Sequence, residues 1–172
     1  MATPTHSPTP KASPVYRLVL IAFMAAILEV AKFSLNALPN IECITLLVIV
    51  FTHHFGYRMT LPAVLIFAFL ECTWWGFGTW SIVYFYMWPI LVLLTTLLVR
   101  DDEMLMPIVL STIYGLGFGA MSAILTLVIG GWQAALAWWI AGIPYDIVHG
   151  IGNMLIALTL YKPLCNALSR IA

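Results

Sequence analysis

Asp146, His149 and Asn153 follow one another at i, i+3 and i+7, a spacing that sets a carboxylate, an imidazole and an amide on one face of a helix. Four more ionisable side chains, Glu29, Lys32, Glu42 and Glu71, fall near the ends of apolar runs. Glu29 and Lys32 are spaced as an i, i+3 ion pair, and that pairing is the plain alternative to a functional role. Aromatic residues crowd the same part of the chain. The stretch from Trp74 to Trp88, WWGFGTWSIVYFYMW, holds four tryptophans, and Trp132, Trp138 and Trp139 supply the other three. Polar groups among aromatic faces suit a pocket for a flat, partly apolar ligand, the rings for stacking and the polar groups for orientation. Enzyme signatures are missing: there is no HExxH, no GxSxG and no GxxxxGK[ST], so no catalytic residue is assigned and ATP hydrolysis is not expected of this chain. The GxGxG string at 115–119 lies in an apolar helical run with no strand before it, which is not a nucleotide loop.

The elements that position these groups follow from composition. Of 172 residues, 63% are hydrophobic and 8% charged, against about 25% charged in a soluble domain, so the chain is expected to be an integral membrane protein. A formal net charge of zero without a basic cluster removes nucleic acid as a partner. Three cysteines, Cys43, Cys72 and Cys165, without a CxxC, indicate neither a disulfide framework nor a zinc site. Residues 1–14 hold four of the ten prolines and are expected to be a disordered cytoplasmic tail that lacks the layout of a cleavable signal. The remainder, 15–172, is expected to be one membrane domain.

Apolar runs broken by Pro, Gly and charge predict six helices, roughly 15–33, 41–56, 60–74, 80–99, 106–129 and 143–162. The second and third are near the length at which a re-entrant or buried helix competes with a span. Charge placement favours six crossings with both termini cytoplasmic. In that topology Lys11, Arg17, Arg58, Arg100, Lys162 and Arg170 fall inside and only Lys32 outside, in keeping with the positive-inside rule. The fold class is therefore an all-α bundle of six transmembrane helices. GGWQAALAWWIAG, Gly130 to Gly142, is predicted as an amphiphilic fifth loop at the interface or over a cavity. Glu29, Lys32, Glu42, Glu71, Asp146 and His149 then share the outer half of the membrane, where a charge costs a few kcal/mol and marks a pathway or ligand site more often than a passive contact. An interfacial belt accounts for about half of the aromatics, but not for their placement on one side.

Small residues recur on helix 5 at Ser111, Gly115, Gly119 and Ala123, and on helix 1 at Ala22 and Ala26 with Ala25 between them. Close packing inside the bundle is the ordinary meaning of such stripes; on helix 1 a docking face for another membrane protein is the alternative.

Six short helices, an outward aromatic pocket and no ATPase resemble the substrate-binding S components of energy-coupling factor (ECF) vitamin transporters. LPNIECITLLVIVFTHHFG, Leu38 to Gly56, is similar to the first-loop segment of one branch of predicted S components. GIPYDIVHGIGNMLIALTLYKPL, Gly142 to Leu164, is similar to that branch's last helix, and Ala22-Phe-Met-Ala-Ala26 resembles the AxxxA with which S components dock on their coupling subunit. The resemblance implies a multi-pass protein of a prokaryotic plasma membrane. Its partners would be a transmembrane coupling (T) subunit and two ABC ATPases, and its ligand a vitamin or vitamin precursor held between helices 4 to 6 under the first, third and fifth loops. Expected ligand contacts are Asn40 and Glu42 in the first loop, Trp75, Trp80, Tyr84 and Trp88 around helix 4, Trp139 in the fifth loop, and Asp146, His149 and Asn153 on helix 6. Ala22, Ala25 and Ala26 are the expected docking residues. No cofactor or metal is expected. A corrinoid such as cobalamin would suit the many tryptophans and the lack of arginine on the outer side. Two other readings stand beside this one: a metal-dependent membrane enzyme using Asp146, His149 and Glu71, and a structural subunit that binds nothing.

Overall fold

The computed structural model describes residues 13–100 and 103–170; most of the expected tail, residues 1–12, lies outside them. The described residues form six helices and no strand: α1 Pro14–Ser34, α2 Ile44–Phe55, α3 Tyr57–Trp75, α4 Thr79–Leu98, α5 Leu105–Leu116 and α6 Phe118–Leu168. Three of these, α1, α4 and α6, are long and apolar enough to cross a membrane.

Local sequence explains most of the boundaries. The Ser13 hydroxyl accepts the Tyr16 N–H at 3.2 Å and Pro14 opens the helix, the favoured pairing of a hydroxyl cap with proline in the first turn. The first helix therefore begins inside the stretch expected to be tail. Helix α2 is buried on every side from Ile44 to Thr52, and at about 1.5 Å per residue its 12 residues reach only about 18 Å. Enclosed by α1, α3, α4, α5 and α6, it is the axis of the core, with Phe67, Met87, Leu91 and Leu28 fully buried in the helices around it.

Two expectations are corrected. The predicted helix 106–129 is interrupted at Gly117 and continues as the first part of α6. The predicted loop 130–142 is helical: α6 runs through it with one non-helical residue, Gly131, at φ 78° and ψ −178°. Alanine, leucine and glutamine in that stretch are good helix formers, and a single residue able to take positive φ turns the chain without a loop. Nothing lies within 4 Å of where a Gly131 Cβ would stand, so this glycine is needed for its backbone and not for space.

The turn folds 118–130 back along 132–168. Trp138 Nε1 donates to Ser122 Oγ at 3.0 Å, and Gly119 N–H donates to Asp146 Oδ1 at 2.8 Å. Farther along, a Cβ on Gly115 would sit 2.9 Å from the Gly150 Cα, so α5 and α6 approach backbone to backbone as the small-residue stripe predicts. Helix α4 is tied to this hairpin by Tyr86 Oη to the Met121 carbonyl and by the Tyr114 Oη to the Met87 carbonyl, at 2.7 and 2.6 Å. On α1, Ala25 is buried while Ala22 and Ala26 are exposed, on a surface shared with Val15, Leu18, Val19, Phe23 and Val30.

Candidate functional site

The connection from 35 to 43 folds over one end of the bundle, above a space lined by residues of α1, α4 and α6. Asn40 takes the left-handed conformation at φ 59°, one that asparagine tolerates better than most residues. Ile41 rests on Gly152 of α6, where a Cβ would come within 2.8 Å of the Ile41 Cδ1. Glu42 follows at the mouth of α2. Its carboxylate accepts the Ile44 N–H, the Thr45 N–H and the Thr45 hydroxyl, which satisfies N–H groups that a helix start leaves unpaired and places negative charge at the positive end of the helix dipole.

His149 reaches the same carboxylate, Nε2 to Oε1 at 3.2 Å, and its ring lies 4.9 Å from that of Phe118. Both partners are buried. Burial alone would push the Glu42 carboxyl up. The hydrogen bond and charge of His149, the Thr45 hydroxyl and the Lys32 charge outweigh it and hold the group below the ordinary carboxylate range.

Beneath the connection is a partly open cavity of about 210 Å³. Asn40, Glu42, Tyr84, Trp88 and His149, all expected contacts, line it. So do seven residues not on the expected list, among them Lys32, Asn36 and Phe118. Lys32 was legible as an outer charge, but its i, i+3 spacing from Glu29 points to an ion pair that is not formed: the only ion pair among the described residues is Glu42 with His149. The Lys32 ammonium instead lies 6.0 Å from the centre of the Tyr84 ring, while Glu29 faces Glu71 between α1 and α3. Tyr84, Trp88 and Phe118 form an edge-to-face and tilted chain of rings, with centroids 5.6 and 6.3 Å apart.

Asn40, Tyr84 and Phe118 also belong to a second, more open groove of about 590 Å³ between α4 and α6. Trp80 and Asp146, both expected contacts, and Trp138, which was not, line this groove. The polar stripe on α6 thus faces inward as its spacing implies, but its members part company. Asp146 binds the Gly119 N–H, His149 binds Glu42, and Asn153 sits between α6 and α5 with its amide donating to the Ser111 carbonyl at 3.3 Å. Asn153 lines neither cavity, and neither do Trp75 and Trp139. Trp75 is exposed and stacks on Phe33.

The chain matches no family model, no curated protein and no solved structure. The site's own geometry therefore bears the functional argument. Among the described residues, no three of His, Cys, Asp and Glu converge where they could hold a metal ion.

Proposed function

We propose that this chain is the membrane-embedded substrate-binding subunit of an ECF-type importer for a vitamin or vitamin precursor. The observation that carries this reading is the partly open polar cavity under the 35–43 connection, walled by three aromatic rings and lying beside an apolar groove. Pockets that hold small organic ligands are concave, largely apolar and fitted with a few placed polar groups. The exposed apolar residues along α1, α4 and α6 suit contact with lipid tails.

In this reading all the helical segments sit in the membrane and both termini are cytoplasmic. Helix α2, too short to span about 30 Å of hydrocarbon, is sheltered by its neighbours. Helix α5 and the arm 118–130 together make one crossing, and the arm 132–168, about 55 Å long, makes the last with length to spare at the outer face. The cavity then opens outward, and Lys32 is the one basic side chain on that side. The transmembrane coupling subunit and two ABC ATPases supply the energy, in the plasma membrane of a prokaryote.

A corrinoid suits this site less well than a smaller ligand does. Of the tryptophans that suggested it, Trp74, Trp75, Trp132 and Trp139 are exposed and line neither cavity. The cavity volume of about 210 Å³ is also below the 300–1,000 Å³ that drug-sized ligands occupy.

Mass spectrometry of small molecules released from the purified protein tests the reading. Release of one organic molecule in near-stoichiometric amount supports it; protein that yields none, and that copurifies with no ATPase when expressed from its own cell, overturns it.

Docking gives a separate expected result. Ala22 and Ala26 are exposed at i, i+4, which leaves a shallow groove on α1 that a partner helix can enter and that a large side chain fills. The double substitution Ala22→Trp/Ala26→Trp is expected to leave thermal stability and ligand release unchanged and to abolish copurification with the coupling subunit. A destabilised protein would show instead that the alanines pack inside the bundle, where overpacking costs about 1–3 kcal/mol per site.

A further inference from the structure

The inner cavity offers a donor without an acceptor and a cation without an anion. Its one lining carboxylate, Glu42, is already engaged by two backbone N–H groups, the Thr45 hydroxyl and His149. Lys32 lines the same space with no carboxylate within 4 Å of its ammonium among the described residues. Trp88 is 2% exposed, forms part of the cavity wall, and its indole N–H has no acceptor. The Lys32 ammonium lies beside Tyr84, whose hydroxyl can accept from it, so the donor left without an acceptor is the Trp88 indole N–H, and a buried unpaired donor is costly.

A ligand that brings an acceptor satisfies the indole N–H, and one that brings negative charge also answers the Lys32 ammonium, which has no carboxylate against it. A cationic ligand would meet the lysine charge with no free carboxylate in the wall to offset it. A dianion would exceed the single lysine and face the charge on Glu42. Around these groups the rings of Tyr84, Trp88 and Phe118 fit a flat apolar or heteroaromatic body.

Resting on the reading of the chain as a substrate-binding subunit, we propose that its ligand is a small aromatic or heteroaromatic monocarboxylate, the carboxylate received by Lys32 and the Trp88 indole N–H and the ring held among Tyr84, Trp88 and Phe118.

The test uses the full chain in lipid nanodiscs and three matched probe series: benzoate, nicotinate and indole-3-acetate; their primary amides; and benzylamine and tryptamine. Thermal unfolding and quenching of tryptophan fluorescence report binding. At least one carboxylate is expected to bind roughly tenfold or more tightly than its amide, with no binding of the ammonium compounds. Lys32→Met is expected to remove the preference for carboxylate over amide while keeping the unfolding temperature, and Trp88→Phe to weaken the carboxylate several-fold with the ring wall retained. Amides or ammonium compounds that bind the unaltered protein as well as the carboxylates do would overturn the proposal, without any variant having to fold. The molecule released from the purified protein separates the two levels of the argument. A released monoanion supports the carboxylate even where none of the three probes fits. A released neutral or cationic molecule overturns the carboxylate and leaves the importer reading standing. No released molecule and no bound probe overturns both.

Discussion

Replacing Glu42 with alanine is expected to lower the unfolding temperature of the purified protein by on the order of 10 °C. The substitution strands the Ile44 and Thr45 N–H groups at the start of a fully buried helix and removes the partner of His149. Each buried donor left without its acceptor costs about 1–3 kcal/mol, because it has no water to turn to. Glu42→Gln keeps an acceptor oxygen at the helix start and gives up the charge, so its loss is smaller. Acid distinguishes the two contributions. The Glu42 carboxyl is held below its ordinary value of 4.5, so its charge stabilises the fold fully above about pH 4.5 and ceases to do so as pH falls through the lower folded value. Wild type should therefore lose its advantage over Glu42→Gln only on acidification below about pH 4.5, and keep it constant above. An advantage that persists at the acid end would show that the charge is not what the pairing uses. The same variants bear on the cavity, since the 35–43 connection that roofs it is anchored at Glu42.

The inward face of the last helix was legible from residue spacing alone, because i, i+3 and i+7 fix a helical face whatever surrounds it. What that face meets was not. Over seven residues a helix rises about 10 Å, so Asp146, His149 and Asn153 reach three different neighbours: the 118–130 arm, the 35–43 connection and α5. Only the middle one comes to the inner cavity. Lys32 shows the converse. Its local partner Glu29 was visible at i−3, and the pairing that spacing suggests gave way to packing against α4, which no local pattern encodes. The stretch 130–142 failed for another reason: three tryptophans and flanking glycines resemble an interfacial loop, while its helix-forming alanines and leucine carried the contrary signal. A Gly-Gly pair before such a run is the mark of a helix reversal. Phe118 had no signal of its own, being one aromatic among many in a chain where 13% of residues are aromatic.

Gly119 is the position where the hairpin of α6 is most sensitive to one added methyl group. A Cβ there would stand 2.5 Å from the Asp146 Oδ2, 2.8 Å from Oδ1 and 3.0 Å from Cγ, closer than side-chain atoms approach. A long side chain could swing away, but Asp146 is short and its Oδ1 is held by the Gly119 N–H at 2.8 Å. Retreat therefore means loss of that bond, in a carboxyl group that is 7% exposed and whose other oxygen already lacks a partner. Gly119→Ala is expected to cost about 2–4 kcal/mol, combining overpacking with a stranded buried acceptor. Asp146→Ala alone should cost less, since removing the side chain leaves one unpaired N–H at the beginning of the 118–130 arm and no buried charge. The two effects are not additive: with Asp146 gone, the space for the new methyl group is open, so Gly119→Ala/Asp146→Ala should be more stable than Gly119→Ala by itself. Thermal unfolding of the three variants in one lipid environment decides the matter. Additive losses would mean that the methyl group clashes elsewhere and that Asp146 is free of this packing role. A double variant more stable than Gly119→Ala would identify Asp146 first as the clamp that holds α6 folded back on itself, and so as the residue that sets the wall of the outer groove.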